Sequence, residues 1–140
     1  MSFDVLGDVN YLAVLVATIA WFVLGAIWYA PPVLGRPWQR SLGIEMPEGF
    51  RPNPLIFVVT FVVYFVTAVA LAALARATGS ETVGEGTVLG VVTGVGLALM
   101  IFVGGALYER KPEPGVWFAV NGIFNVIAYL LVSVIVTVWN

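Results

Sequence analysis

"PLIFVVTFVVYFVTAVALAALARA" occupies residues 54–77. From Pro54 to Ala75 it carries no charged side chain. At about 1.5 Å of rise per residue that run reaches across a bilayer core of about 30 Å. Residues 11–30, 87–108 and 116–139 have the same character. Such spans leave only short connections in a chain of 140 residues. The expectation is therefore a single domain over residues 1–140, an all-α integral membrane protein with four transmembrane helices in an antiparallel bundle, and a short interfacial segment over residues 33–46.

Composition points the same way. The chain is 61% hydrophobic and 10% charged, whereas soluble domains carry roughly 25% charged residues. It contains no cysteine and no histidine, which excludes disulfides, thiolate chemistry, imidazole bases and the commonest zinc sites. A formal charge of -2 is too small to imply nucleic acid. No metal, no cofactor and no nucleic-acid partner are expected.

Each boundary has a local cause. Pro31 and Pro32 lack amide hydrogens, and Pro31 disfavours helical geometry at Ala30, so the first span stops there. Asn53-Pro54 reads as an N-cap followed by proline at the first helical position. Thr82 and Glu85 have capping-box spacing ahead of the third span. Aromatic rings at Tyr11, Trp28, Tyr29, Tyr108, Trp117 and Trp139 suit the headgroup layer. Residues 3–9 read as a short amphipathic lead-in on the outer surface, with Asp4 and Asp8 where a secretory signal would be basic.

Orientation follows from lysine and arginine. Arg36, Arg40, Arg51, Arg110 and Lys111 lie in loops 31–53 and 109–115, and Arg76 stands on the other side. The positive-inside rule makes those loops cytoplasmic and both termini extracytoplasmic.

Lipid removes most of the hydrophobic drive between helices, so small residues and hydrogen bonds must hold them together. Gly86, Gly90 and Gly94 recur every fourth residue and mark a helix-packing face, either within the chain or between copies of it. No carboxylate, lysine or arginine lies mid-span, which argues against proton-coupled pumps and small multidrug exporters. Neutral polar groups remain. Asn121, Asn125, Tyr129 and Ser133 form a drifting ridge on the fourth span, and Thr60, Tyr64 and Thr67 share a face of the second. Tyr64 and Asn125 come to similar depths and are placed to meet. This ridge reads as interhelical glue or as a neutral lining for a small solute, an ion or water.

Enzymatic motifs are absent. "GVVTGVG" at 90–96 lies inside an apolar run, not at a strand-to-helix turn. Glu45 with Glu48, and Glu109 with Glu113, read as solvated loop charges. Arg36 and Arg40, spaced for one helix face beside Trp38, are expected to reach lipid phosphates while Trp28, Tyr29 and Trp38 lie in the headgroup belt.

The Trp28-Tyr29-Ala30-Pro31 exit, Gly35, Trp38, "LYERKP" at 107–112 and Asn121 resemble the small four-helix prokaryotic membrane family catalogued as domain of unknown function seventeen sixty-one. Similar proteins have serine where this chain has Ala30, so no hydroxyl chemistry is expected there. The resemblance implies the four-helix fold and a prokaryotic plasma (inner) membrane, and carries no catalytic residue and no cofactor. Two functions stand open. One is a permeation or transport module for a small solute or ion, working as a homo-oligomer. The other is a non-catalytic structural or accessory protein that binds membrane lipids or organises a membrane-protein partner.

Overall fold

The computed structural model of the protein describes residues 3–47 and 49–139. These are mostly helical, with no strand among the described residues. A single 3-10 turn, Phe3–Gly7, precedes α1 (Tyr11–Trp28). A π turn, Pro31–Gly35, leads into the short α2 (Arg36–Leu42). Then come α3 (Pro54–Thr78), α4 (Val83–Tyr108) and α5 (Pro114–Val138). The helices α1, α3, α4 and α5 are each long and apolar enough to cross a membrane.

The ends differ from expectation by a few residues, for local reasons. α1 stops at Trp28 because Ala30, the residue before proline, is extended at φ −62° and ψ 140°. α4 starts at Val83, ahead of the expected residue 87, because the capping box closes: the Glu85 amide donates to Thr82 Oγ1 at 3.3 Å, and Glu85 Oε2 accepts from the Thr82 amide at 2.9 Å. That nucleates the helix through Gly84 and Gly86 despite their poor propensity. Within α4, residues Gly94–Leu99 take π-helical geometry. α3 ends on Gly79, which supplies the left-handed conformation at φ 66°.

The arrangement is a fan around α5 and not a closed square. α1, α2, α3 and α4 all pack on α5, while α4 meets α3 only marginally. α1 and α5 run antiparallel: Asn10 Nδ2 donates to the Trp139 carbonyl oxygen at 2.8 Å at one end, and Trp28 Nε1 donates to that of Val120 at 3.1 Å at the other. Asn10 also caps its own helix, accepting from the Leu12 and Ala13 amides. The core between them is dry: Val14, Ala17, Trp21, Ala68, Phe124, Ala128, Val132 and Val136 are buried.

The α4–α5 contact is made of backbone. A Cβ added to Gly90 would lie 2.7 Å from Leu130 Cα, one on Gly86 2.9 Å from Val134 Cα, and one on Gly94 3.1 Å from Tyr129 Cβ. The glycine stripe is thus used inside one chain, which leaves no glycine face there for a second copy. Outside this frame, Leu55, Ile56, Val58, Val59, Val62, Val63 and Val66 of α3 are more than half exposed. Water penalises such a face, and acyl chains do not.

Filling the stripe should therefore cost stability. Gly90→Val is expected to lose about 1–3 kcal/mol, the usual range for overpacking, and to melt earlier in detergent. Gly96→Ala, whose Cβ would meet nothing within 4 Å, should hold or slightly raise the melting temperature, alanine being the better helix former.

Candidate functional site

The end of α1 is shaped by the turn at Gly35. This residue returns its amide to the Ala30 carbonyl oxygen at 3.0 Å. A Cβ at Gly35 would stand 2.3 Å from the Tyr29 carbonyl oxygen, so only glycine fits this turn. The turn folds α2 back over the end of the bundle, where residues before α5 hold it. Arg40 Nε donates to Glu113 Oε1 at 3.0 Å and Oε2 at 3.2 Å, and the Glu113 amide donates to the Ser41 carbonyl oxygen at 3.3 Å. Ser41 Oγ closes on the Trp38 carbonyl oxygen at 2.6 Å. Gly43, left-handed at φ 69°, sits against Pro112.

This arrangement brings Trp38 over Tyr29, edge to face, with centroids 5.5 Å apart and planes at 70°. Beneath them lies a half-open cleft of about 650 Å³ between α1 and α3, bordered by α2 and floored by α5. Phe22, Tyr29, Trp38, Phe57 and Tyr64 supply aromatic walls, and Thr60 and Asn121 supply hydroxyl and amide. Ala26, Ile56 and Phe57 at its edge are exposed on the apolar flank. Buried Trp21 and Phe124 back two of its walls: Trp21 stacks on Tyr64 at 4.2 Å with planes 4° apart, and Tyr29 meets Phe124 edge-on at 5.1 Å. No charged residue lines it.

Polar contacts in the cleft are mostly committed. Tyr29 Oη donates to Asn121 Oδ1 at 2.7 Å, and Asn121 Nδ2 donates to the Trp117 carbonyl oxygen at 2.8 Å. Thr60 Oγ1 donates to the Ile56 carbonyl oxygen at 2.8 Å. The Tyr64 hydroxyl has no hydrogen-bond partner among the described residues, and lies beside Gly25, 3.6 Å from where that residue's Cβ would be.

The polar residues singled out in the sequence therefore divide. Thr60, Tyr64 and Asn121 converge on the cleft. Asn125 does not line it: its Nδ2 donates to the Asn121 carbonyl oxygen at 2.9 Å, so the expected meeting with Tyr64 is replaced by Tyr64 stacked on Trp21. Tyr129 takes another side of that indole, edge-on at 5.5 Å. Thr67 donates to the Val63 carbonyl oxygen on its own helix. Ser133 is fully buried with no partner for Oγ, so small size is what it contributes. The ridge drifts around α5 too fast to line one path, touching cleft, α1 and α4 in turn.

The rings expected in the headgroup belt also make contacts within the chain. Trp28 and Tyr29 turn inward and bond α5, because its Val120 carbonyl oxygen and Asn121 amide lie opposite the end of α1. Trp38 borders the cleft and meets Tyr29 edge to face. Arg40 is paired with Glu113, while Arg36 has no carboxylate partner among the described residues. Of the loop acids, Glu48 lies outside the described residues, and Glu109 and Glu113 are ion-paired, not merely solvated.

Sequence reading missed two features. Phe22, Gly25, Ala26 and Phe57 line the cleft but look like any lipid-facing residues. Lys111 is the other: its side chain is only 5% exposed, with Nζ 3.9 Å from the Trp117 ring centroid, 3.1 Å from the Gly105 carbonyl oxygen and bonded to Glu109. Trp117 fits there because Gly105 has no side chain: a Cβ would fall 2.7 Å from its ring.

A family model described as Protein of unknown function (DUF1761) matches residues 12–137. The chain belongs to this family. Neither the curated proteins nor the solved structures contain a match. The matched segment includes every residue that lines the cleft, so the cleft of this DUF1761 protein lies wholly inside the family domain.

Removing the Tyr29–Asn121 bond separates its two ends. Tyr29→Phe is expected to cost about 1 kcal/mol, whereas Asn121→Leu, which strands the phenol, should cost about 1–3 kcal/mol. Thermal unfolding in detergent checks the order. Glu113→Gln should cost less than about 1 kcal/mol by the same assay, because its partner Arg40 is 66% exposed and solvent screens the pair.

Proposed function

We propose that this DUF1761 protein is a non-catalytic, membrane-embedded binding module that admits an amphiphilic molecule sideways from the bilayer into the cleft between α1 and α3. One observation carries the reading: the cleft is lined by aromatic and apolar side chains with no charge, and it reaches the exposed apolar flank at Ala26, Ile56 and Phe57. A half-open, largely apolar cavity that reaches the lipid-facing flank suits retention of an amphiphile. Its volume of about 650 Å³ is within the usual range of roughly 300–1,000 Å³ for small-molecule sites. The mixture of apolar walls and few polar groups also matches such sites. A second copy is not needed, since one chain supplies every wall.

Native mass spectrometry of protein released from membranes is expected to find a bound amphiphile. Ala26→Trp, which puts an indole in the mouth, should strip it without lowering the melting temperature. Protein that carries no adduct, or an adduct that survives Ala26→Trp, overturns the reading. Proteoliposomes should pass small ions and neutral solutes no faster than empty vesicles, and rapid flux would favour a permeation module instead.

We propose a prokaryotic plasma membrane from the family resemblance and, from the arginine and lysine distribution, loops 31–53 and 109–115 in the cytoplasm with the termini outside. The cleft then opens in the cytoplasmic leaflet. Because the chain has no cysteine, single substitutions report cleanly. A membrane-impermeant maleimide should label Glu81→Cys in intact cells and Glu45→Cys only after permeabilisation, and the opposite pattern would invert the orientation.

A further inference from the structure

Resting on the cleft as a binding site, we infer that its ligand class is a flat, uncharged ring bearing carbonyl acceptors and carrying an apolar tail, as in membrane quinones. Three features of the lining select that chemistry.

The first is charge. No ionisable side chain other than the tyrosine phenols lines the cleft. Arg36 and Arg40 line a separate surface depression with Gln39, Glu45 and Met46. An anionic headgroup placed in the cleft would be desolvated without a counter-charge, and an ammonium would lack a carboxylate. Both classes are disfavoured.

The second is hydrogen-bond polarity. The hydroxyls of Tyr29 and Thr60 donate to protein acceptors, and Asn121 uses Oδ1 and one amide hydrogen within the protein. The Tyr64 hydroxyl, the Trp38 indole N–H and the second Asn121 amide hydrogen remain, donors with no protein partner among the described residues. A partly buried donor of this kind favours a ligand that accepts, and a carbonyl oxygen accepts without having to donate.

The third is shape. Phe22, Tyr29, Trp38, Phe57 and Tyr64 are aromatic planes on different walls of one cavity. Ring edges and faces at several orientations recognise a planar π-system through stacked and edge-on contacts. A flexible acyl chain needs no such planes. The ring enters between these planes, and the tail leaves past Ile56 and Phe57 into lipid. Tyr64 lies ten residues into α3, or about 15 Å from its start, so the ring is held deeper than the mouth at Ile56 and Phe57, where the tail turns out into lipid.

The test uses the full chain in lipid nanodiscs titrated with a decyl-tailed benzoquinone, read by quenching of tryptophan fluorescence. Quenching should saturate, and Trp38→Phe should reduce its amplitude, because that indole borders the site. Tyr64→Phe should weaken binding about fivefold to tenfold, the effect of one lost hydrogen bond, with the melting temperature unchanged. Decanol and diacylglycerol, which have tail and polar head but no ring, should compete poorly. If either competes as well as the quinone, or if Tyr64→Phe binds equally well, the ring assignment is wrong although a general amphiphile site stands. If the native protein also retains no amphiphile by mass spectrometry, the binding module itself is wrong. Should Tyr64→Phe fail to fold, the competition series on the native chain still decides between ring and tail.

Discussion

Close approach of backbones along α5 is the constraint on which the rest of the molecule depends. In hydrocarbon, apolar side chains gain almost nothing by leaving lipid for each other, so helices adhere where atoms can approach closely or where polar groups pair. α5 offers both on different sides. Toward α4 it presents backbone to the stripe Gly86, Gly90 and Gly94. Toward α1 it presents the Val120 carbonyl oxygen and the Asn121 amide to Trp28 and Tyr29. The cleft is a by-product of this division: α1 is fixed to α5 at its end, α3 packs most closely farther along at Ala68, Leu71, Ala72 and Ala75, and the two helices part between.

The site then owes its character to the chain reversal after α1. Two prolines end the helix, Gly35 allows the backbone to press against the Tyr29 carbonyl oxygen, and α2 is carried across the opening. Arg40 and Glu113 secure it at an exposed edge where each contact is weak, while Trp38 and Tyr29 do so within the cleft by ring contact. A roof held by several modest interactions at a lateral opening is consistent with a ligand that arrives from the side.

Much of the fold was legible because a bilayer imposes coarse rules. The charge-free run from Pro54 to Ala75 declares a span, and Ala30 before Pro31, Asn53 before Pro54, and Thr82 with Glu85 announce helix ends by short-range chemistry. The order of packing was not legible. A valine facing lipid and a valine facing another helix have the same chemistry, so nothing in the sequence distinguished α5 as the axis. The same ambiguity hid Gly25, Ala26 and Phe57 as cleft residues. Trp28 and Tyr29 read as surface anchors because aromatic rings near a helix end usually are. Which way they turn depends on the acceptors opposite, and those lie 92 residues away along the chain. Asn125 misled for a simpler reason: equal depth on two helices does not place two side chains on facing sides.

Lys111 is the chain's single lysine, and Trp117, Glu109 and the Gly105 carbonyl enclose it. Every cationic side chain that the described surface shows to water or headgroups is therefore a guanidinium: Arg36, Arg40, Arg51, Arg76 and Arg110 are all exposed. A guanidinium is not a substrate for lysine acetylation. The exposed positive charge of this protein is in that sense closed to lysine modification.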